Sequence, residues 1–517
     1  MKNCVFLAKA IIWGIPRLIF LFAVYPRSFV RKVSQRMGGR PKLMAVVQKA
    51  SVPGAVRQLV RAGEFSDAIR KIEGLSTIPK VLYLPLVIKL KSELAALDFE
   101  YTPSLEGGVR MSTGPRCTSA KSTAVVHVFN NSLPFTASGY TVRSQNVLKA
   151  QKRAGLRVVG ITRPAYPMEI GLFPQREVDV VDGIIYYRTP SRSFIPFSSR
   201  EIDNYVKHLV NIARISHADI LHTTTSFKNA IVVSKAAEIL GIPWVYEVRG
   251  QLESTWLSKL SDDEQRIGRE SEYYSKFQKA ETRAMEAASH LVTLSDVHKA
   301  SLVNRGIDPE KITVIPNGIS LRGPKRNSKK KELREYLKLP DGILFGAVSS
   351  VVGYEGFDLP IRALKSLPSN YYFVLVGDGE ELPVLKELAE RLAVTDRVLF
   401  VGKQPNSQIE RWYEALDVFI IPRRKLTVTE IVTPIKGLQA QALNLPIVAS
   451  DLPALREITG GLAFYYSPEV LESFVEALLE AIKSGGDDRG HAWAKEHDWD
   501  CLARSYKNMY EELLGNG

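Results

Sequence analysis

The chain is poor in several things. Only three cysteines occur in 517 residues (Cys4, Cys117 and Cys501), too few and too far apart for a disulfide framework or a thiolate metal cluster. That usage suits a reducing compartment. No G-x-G-x-x-G fingerprint is present, which removes the main support for a dinucleotide dehydrogenase. Acids are missing altogether from the first 63 residues: Glu64 is the first. Twelve Lys and Arg precede it, out of a net excess of 14 over the whole chain, so the remaining 454 residues are close to neutral. A mean hydropathy of -0.06, with 45% hydrophobic and 24% charged residues, excludes both a polytopic membrane protein and a disordered chain.

What is present begins with a basic, apolar head. Val5 to Tyr25 reads VFLAKAIIWGIPRLIFLFAVY, and Arg27, Arg31, Lys32 and Arg36 follow. The run is long enough to span a bilayer, but a central Arg such as Arg17 costs about 2.5–3.5 kcal/mol there. AVYPRSF is a poor cleavage site. The expectation is an interfacial or re-entrant segment over residues 1–41, held on an anionic membrane surface at about 1 kcal/mol per nearby cation; packing of its apolar residues against the protein's own helices is the alternative. Nucleic-acid binding is not expected, because the aromatics sit in the apolar part and do not interleave with the cations.

Residues 42–103 have a helical pattern; RAGEFSDAIRKIE looks like one helix pair, with Gly63 at the turn and Ala68 and Ile69 facing inward. One such unit is a collar, not an array. Residues 104–123 are small and polar, a linker. Then a strand-helix rhythm sets in. AVVHVF, LRVVGI, DILHTT, PWVYEV and HLVTLS form a first set of strands; ILFGAVS, YFVLV, Val398 to Val401, Val418 to Ile421 and PIVAS form a second. Such alternation builds parallel sheets covered on both faces. The expected fold class is α/β, two Rossmann-like doubly wound domains facing a cleft, after a helical N-terminal extension. The boundaries are 124–316, 317–485 and a C-terminal helical tail at 486–517.

Two stretches point to chemistry. Val376-Gly377-Asp378-Gly379-Glu380 follows a strand and opens a helix, where glycines permit close backbone approach to a ligand or simply close packing. Pro422 to Ile458 runs from a strand through Arg423, Arg424 and Lys425 to Thr433-Pro434 and a helix from about Ile435. Thr433 is placed to cap that helix, and Lys436 sits in its first turn, where a cation is normally disfavoured unless an anion binds. Gln439 lies one turn on, placed to reach a ribose. The run Arg423 to Lys425 reads equally well as a solvated charge cluster.

From about Ala124 to Leu514 the sequence resembles the retaining, nucleotide-sugar-dependent glycosyltransferases of family 4 (group 1), which have the GT-B fold. The resemblance rests on NSLPFTASGYTVRS (Asn131 to Ser144), DILHTTT, VYEVRG, VTLSDVHKASLVNRGIDPEKITVIPNGI, VVGYEGFDL, VLVGDGEEL and VTPIKGLQAQALNLPIVASD, in that order. The NSLP…SGYT and YEGFD/VTPIK variants look like a branch linked to bacterial exopolysaccharide and cell-envelope glycan synthesis. The resemblance implies an acceptor domain first, a nucleotide-sugar domain second, and final helices that pack back on the first domain. It implies no bound metal and no cofactor beyond a UDP- or GDP-sugar co-substrate, and a glycan or lipid-linked acceptor. It also implies a cytoplasmic enzyme peripheral on the inner face of the membrane. The catalytic group is expected to include Gly139, His222, Arg249 and Lys436, with His222 orienting a sugar hydroxyl or, as often for a lone His after a strand, serving only as a satisfied structural residue. Ser350, Gly377, Gly379, Arg423, Arg424, Thr433, Lys436 and Gln439 are expected at the donor, and Tyr140 and Arg143 at the acceptor. Asn317 and Gly318 are expected to serve as a hinge.

The sequence departs from the family pattern at several of these places. The family's phosphate-binding Arg falls on Ser350 and its Lys on Glu355. The ribose-holding pair of glutamates falls near Val432 and on Gln439, and a histidine falls on Thr224. A non-catalytic sugar-binding or scaffold relative is the alternative these changes favour. An epimerase of the same architecture lacks evident catalytic carboxylates here.

Overall fold

The computed structural model describes residues 54–75, 83–101, 122–193, 195–320, 330–486 and 488–515. The segment 1–41 and all but the last two residues of the 104–123 linker lie outside them. The chain divides into two units, one of residues 1–292, 305–313 and 503–517 and the other of 293–304 and 314–502.

In the first unit, α1 (Gly54–Ala62) and α2 (Phe65–Glu73) form the expected hairpin through Gly63, whose φ is +85°, and α3 (Leu84–Leu97) follows. Ala68 and Ile69 point inward with Val56, Phe65, Ile72, Leu86, Val87 and Leu90. Lys228 pairs with Glu93 at 2.6 Å, and Ser66 donates to Glu272, tying the collar to the body of the unit.

That body is an eight-stranded sheet. Its strands are β1 (Ala124–Phe129), β2 (Arg157–Thr162), β3 (Val178–Val181), β4 (Ile184–Arg188), β5 (Ile220–Thr224), β6 (Trp244–Val248), β7 (His290–Thr293) and β8 (Ile312–Val314), in the order β3-β4-β2-β1-β5-β6-β7-β8. β1 is parallel to β2 and β5, and β5 to β6; every residue of β1, β5 and β6 is buried, as expected of strands covered on both faces. β3 runs antiparallel to β4, a hairpin absent from the sequence reading. The helix after β1 is α4 (Gly139–Arg153). Ser138 and Thr141 form a capping box there, each side chain accepting the other's backbone N–H.

The second unit holds β9 (Ile343–Val348), β10 (Tyr371–Val376), β11 (Val398–Gly402), β12 (Val418–Ile421), β13 (Ile447–Ser450) and β14 (Phe464–Tyr466), all pairs parallel, in the order β11-β10-β9-β12-β13-β14. This is a Rossmann strand order, and the connections reverse direction between β9 and β12. In the first unit the corresponding reversal lies between β1 and β5. Open α/β sheets bind ligands outside the carboxyl ends of the strands at these points, so the loops after β1, β5, β9 and β12 are where function is sought. The last helix, α5 (Trp499–Leu513), belongs to the first unit from Ala503 onward.

Candidate functional site

Ser349 leaves β9 and Arg423 leaves β12, so the reversal point of the second sheet is lined by both. Between them stands Glu355, 3% exposed. Its Oε1 accepts from Arg423 Nη2 at 3.2 Å and its Oε2 from Lys436 Nζ at 2.6 Å. The same Nζ donates to Ser349 Oγ, and Arg423 Nη1 to the Val432 carbonyl at 2.9 Å. Burial pushes the Glu355 carboxyl up, but Arg423 and Lys436 outweigh it and hold the group down to about 2. Burial lowers the Lys436 ammonium to about 8; Glu355 opposes that shift and Arg423 adds to it. Two cations thus share one carboxylate. Arg423 Nε and Thr433 Oγ1 are buried with no hydrogen-bond partner among the described residues. Unsatisfied buried donors beside an uncompensated positive charge suit an anion's oxygens.

Several expectations change here. Glu355, on which the sequence reading placed a lysine of the family pattern, is not an isolated acid: it pairs with both Arg423 and Lys436. Thr433 does not cap the next helix, α6 (Lys436–Ala442); the cap residue is Ile435, without a side-chain bond. Thr433 instead offers its carbonyl to Asn317 Nδ2 at 3.0 Å, which gives Asn317 a defined partner. With seven residues, α6 carries little dipole, so the side-chain cations matter more than its amides. Arg424 is 44% exposed and paired with Asp358 at 2.9 Å, and Lys425 is 66% exposed near Glu430; these two behave as solvated surface charges. Gln439 accepts from Tyr413 Oη at 2.8 Å through its Oε1. Ser350 is exposed beside the knot. A Cβ on Gly377 would lie 1.7 Å from the Ser349 carbonyl oxygen, and one on Gly379 would lie 2.0 Å from that of Val351. Close packing of the chain on itself therefore accounts for both glycines.

In the first unit, Glu247 of β6, 1% exposed, is the hub of a buried network. Its Oε1 accepts from Arg143 Nη2 at 2.8 Å and from Tyr506 Oη at 3.1 Å; its Oε2 accepts from Arg249 Nη2 at 2.9 Å and faces His222 Nε2 at 3.3 Å. Tyr510 Oη lies 2.7 Å from His222 Nδ1 and accepts from Gln151 Nε2 at 3.2 Å. Burial raises the Glu247 carboxyl, but Arg249 and Arg143 overcome it and hold the group well below the usual carboxylate range. Burial lowers His222, against the pull of Glu247.

These contacts correct two assignments. Arg143, expected at the acceptor, is 3% exposed with its guanidinium committed to Glu247 and Tyr506. His222, expected to act on a sugar hydroxyl, is 0% exposed with both ring nitrogens engaged, so its role is to hold β5 and α5 together. Arg249 binds Ser144 Oγ at 2.8 Å and the Tyr140 carbonyl, and its guanidinium stacks 4.8 Å from the Tyr140 ring centroid. Tyr140 Oη bonds Thr224 Oγ1. Gly139 is exposed, with nothing within 4 Å of a Cβ placed on it. Of the first-unit candidates, Gly139 thus stands open at the reversal point, with Tyr140 held beside it by Arg249. Sequence reasoning missed Glu247, Tyr506 and Tyr510. The available signals were an acid inside an otherwise apolar strand, and two tyrosines one helical turn apart.

The sequence model of the family described as "Glycosyl transferase 4-like domain" matches residues 138–318, and that of "Glycosyl transferases group 1" matches residues 342–484. The chain belongs to the group 1 glycosyltransferases. It is 26% identical over 215 residues to the O-antigen biosynthesis glycosyltransferase WclY of Escherichia coli, covering 40% of this chain and 56% of that one. To the lipopolysaccharide core biosynthesis mannosyltransferase LpsB of Rhizobium meliloti it is 31% identical over 206 residues, 38% of this chain and 56% of the relative. These matches span little more than half of each relative. Among solved structures, the sucrose-phosphate synthase of Thermosynechococcus elongatus superposes with a TM-score of 0.61 at 16% identity, over 76% of this chain and 100% of that one. Anabaena HepE in complex with UDP gives 0.56 at 16% identity, over 75% and 100%. At such identities the likeness establishes the fold, which is GT-B. Among the described residues no helix is long and apolar enough to cross a membrane.

Proposed function

We propose that this group 1 glycosyltransferase moves a hexose from a nucleotide-sugar, UDP- or GDP-linked, to an envelope glycan or lipid-linked acceptor, with retention and without a bound metal. The observation that carries the reading is the Arg423–Glu355–Lys436 knot at the reversal point of the second sheet. When the bond between the anomeric carbon and the distal phosphate oxygen breaks, negative charge builds on the diphosphate. A preset pair of cations with one net positive charge stabilises that charge without reorganising. Arg423 Nε, Thr433 Oγ1 and Lys436 Nζ are the donors for it; Ser350, Gly377 and Gly379 border them, and Gln439 serves the ribose. Arg424 contributes only at long range. Gly139, with Tyr140 held by Arg249, forms the acceptor side. The O-antigen and lipopolysaccharide-core biosynthesis roles of WclY and LpsB support an envelope acceptor.

Calorimetry with UDP, GDP and ADP tests the reading; a chain that binds none of them is a scaffold relative, not an enzyme. Affinity should also depend on pH. Lys436 carries its proton below about 8 and loses it above, while Glu355, at about 2, stays ionised throughout. Binding of the nucleoside diphosphate is therefore expected to be level from pH 6.5 to 7.5 and to approach a tenfold loss per pH unit near pH 9. In Lys436→Arg, whose cation does not titrate there, the fall should vanish. A flat wild-type profile would detach Lys436 from the phosphates.

Residues 1–41 provide the anchor to the inner membrane face, on the strength of their sequence. A chain starting at residue 54 retains the collar and is expected to leave the membrane fraction, whereas the full chain stays; equal partition would refute the anchor.

A further inference from the structure

Arg188 ends β4, a strand that the sequence reading overlooked, and is 0% exposed. A fully buried arginine is rare and is kept only where its donors are used. Here Nε donates to Asp179 Oδ2 at 2.7 Å, Nη1 to Ser132 Oγ at 2.6 Å and Nη2 to the Leu133 carbonyl at 3.0 Å. The ring centroids of Phe135, Tyr166 and Tyr186 lie 5.0, 5.7 and 5.6 Å from its Cζ. Ser132, Leu133 and Phe135 all belong to the loop joining β1 to α4. Tyr166 completes the clamp, its hydroxyl reaching the Ser132 carbonyl at 2.7 Å and Thr136 Oγ1 at 2.8 Å. One side of the guanidinium is thus fixed to the β3–β4 hairpin and the other to the loop that ends in the open Ser138-Gly139.

We propose that Arg188 is a positioning residue for transfer, riveting the 130–138 loop so that Gly139 and Tyr140 are presented at the carboxyl end of β1 in one arrangement. This rests on the transferase reading. The guanidinium fork is essential to it, since a point charge reaches Asp179 but not Ser132 and Leu133 together.

The test uses the full chain, with UDP in calorimetry, amide exchange read by mass spectrometry, and hydrolysis of a panel of UDP- and GDP-hexoses with water as acceptor. For Arg188→Met, UDP affinity is expected within twofold of wild type, because the phosphate knot is built from residues 349–436. Donor KM should also hold within about threefold, while kcat falls at least tenfold and amides 131–140 exchange at least tenfold faster than in wild type. Exchange in β5 and β6 should not change. Arg188→Lys should recover less than a third of the lost kcat. If Arg188→Met does not fold, Phe135→Leu opens the same clamp from the loop side and should lower kcat at least threefold with UDP affinity intact. Wild-type kcat and loop exchange in these variants would overturn the proposal. So would faster exchange throughout the first unit, which marks a purely structural arginine. A wild type that binds no nucleotide overturns the transferase reading instead, and the role in transfer with it, whatever the loop amides show.

Discussion

Replacing Lys436 by Met is expected to weaken UDP binding by roughly ten- to hundredfold, while the same change at Arg424 alters it less than about twofold. The two cations stand 12 positions apart in the chain and looked interchangeable there; their surroundings differ. Lys436 is inside the knot, bonded to Glu355 and Ser349, and its loss removes a hydrogen bond to a charged group, worth about 1.5–3 kcal/mol. It also leaves Glu355 facing Arg423 alone, so the net positive charge of the cluster falls to zero. Arg424 is half-exposed and neutralised by Asp358, and surface pairs of that kind contribute about 0–1 kcal/mol. Calorimetry on the three proteins decides the matter. Equal affinities in wild type and Lys436→Met would remove the phosphates from this knot, and a large effect at Arg424 would move them to the exposed loop.

The contrast between these two residues shows what sequence alone can reach. Ten of the fourteen described strands were legible because buried parallel strands are continuous apolar runs, and β1, β5 and β6 are buried at every position; the short β8 and β14 were not read. The helical hairpin around Gly63 was legible from periodicity. The β3–β4 hairpin was not read, although Asp182-Gly183, both with positive φ, between β-branched and aromatic residues is a strong turn signal. Glu355 illustrates a deeper limit. The sequence reading took it as a departure from the family pattern, but its partner Lys436 lies 81 residues away, and no local pattern encodes that pairing. Arg143 and His222 failed for a related reason: motif position suggested accessibility, whereas burial around Glu247 is a property of the packed sheet and α5. Charged side chains near a motif are ligands or struts according to what else is packed beside them.

That distinction has a measurable consequence at Glu247, where the largest effect on stability is expected. Glu247→Gln keeps the shape but removes the charge that compensates Arg143 and Arg249, both buried. Stranding buried cations costs about 3–5 kcal/mol, so denaturant unfolding of the first unit should lose that much, while nucleotide binding in the second unit persists in the variant before unfolding. Tyr510→Phe removes only neutral hydrogen bonds, to His222 and Gln151, and should cost about 0.5–1.5 kcal/mol, whereas Tyr506→Phe removes hydrogen bonds to the ionised Glu247 and to Arg143 and should cost about 1.5–3 kcal/mol. The pH dependence follows from the same contacts. A carboxylate whose folded pKa is depressed contributes stability that is complete above its unfolded value and is lost as pH falls through the folded one. Glu247 is held well below the usual range, so its contribution should be intact at pH 5 and decline only in stronger acid. The stability difference between wild type and Glu247→Gln should therefore be the same at pH 7 and pH 5, and narrow below about pH 4. A loss under 1 kcal/mol at pH 7, or a difference that shrinks already by pH 5, would mean that Glu247 is not the ionised centre on which these arginines depend.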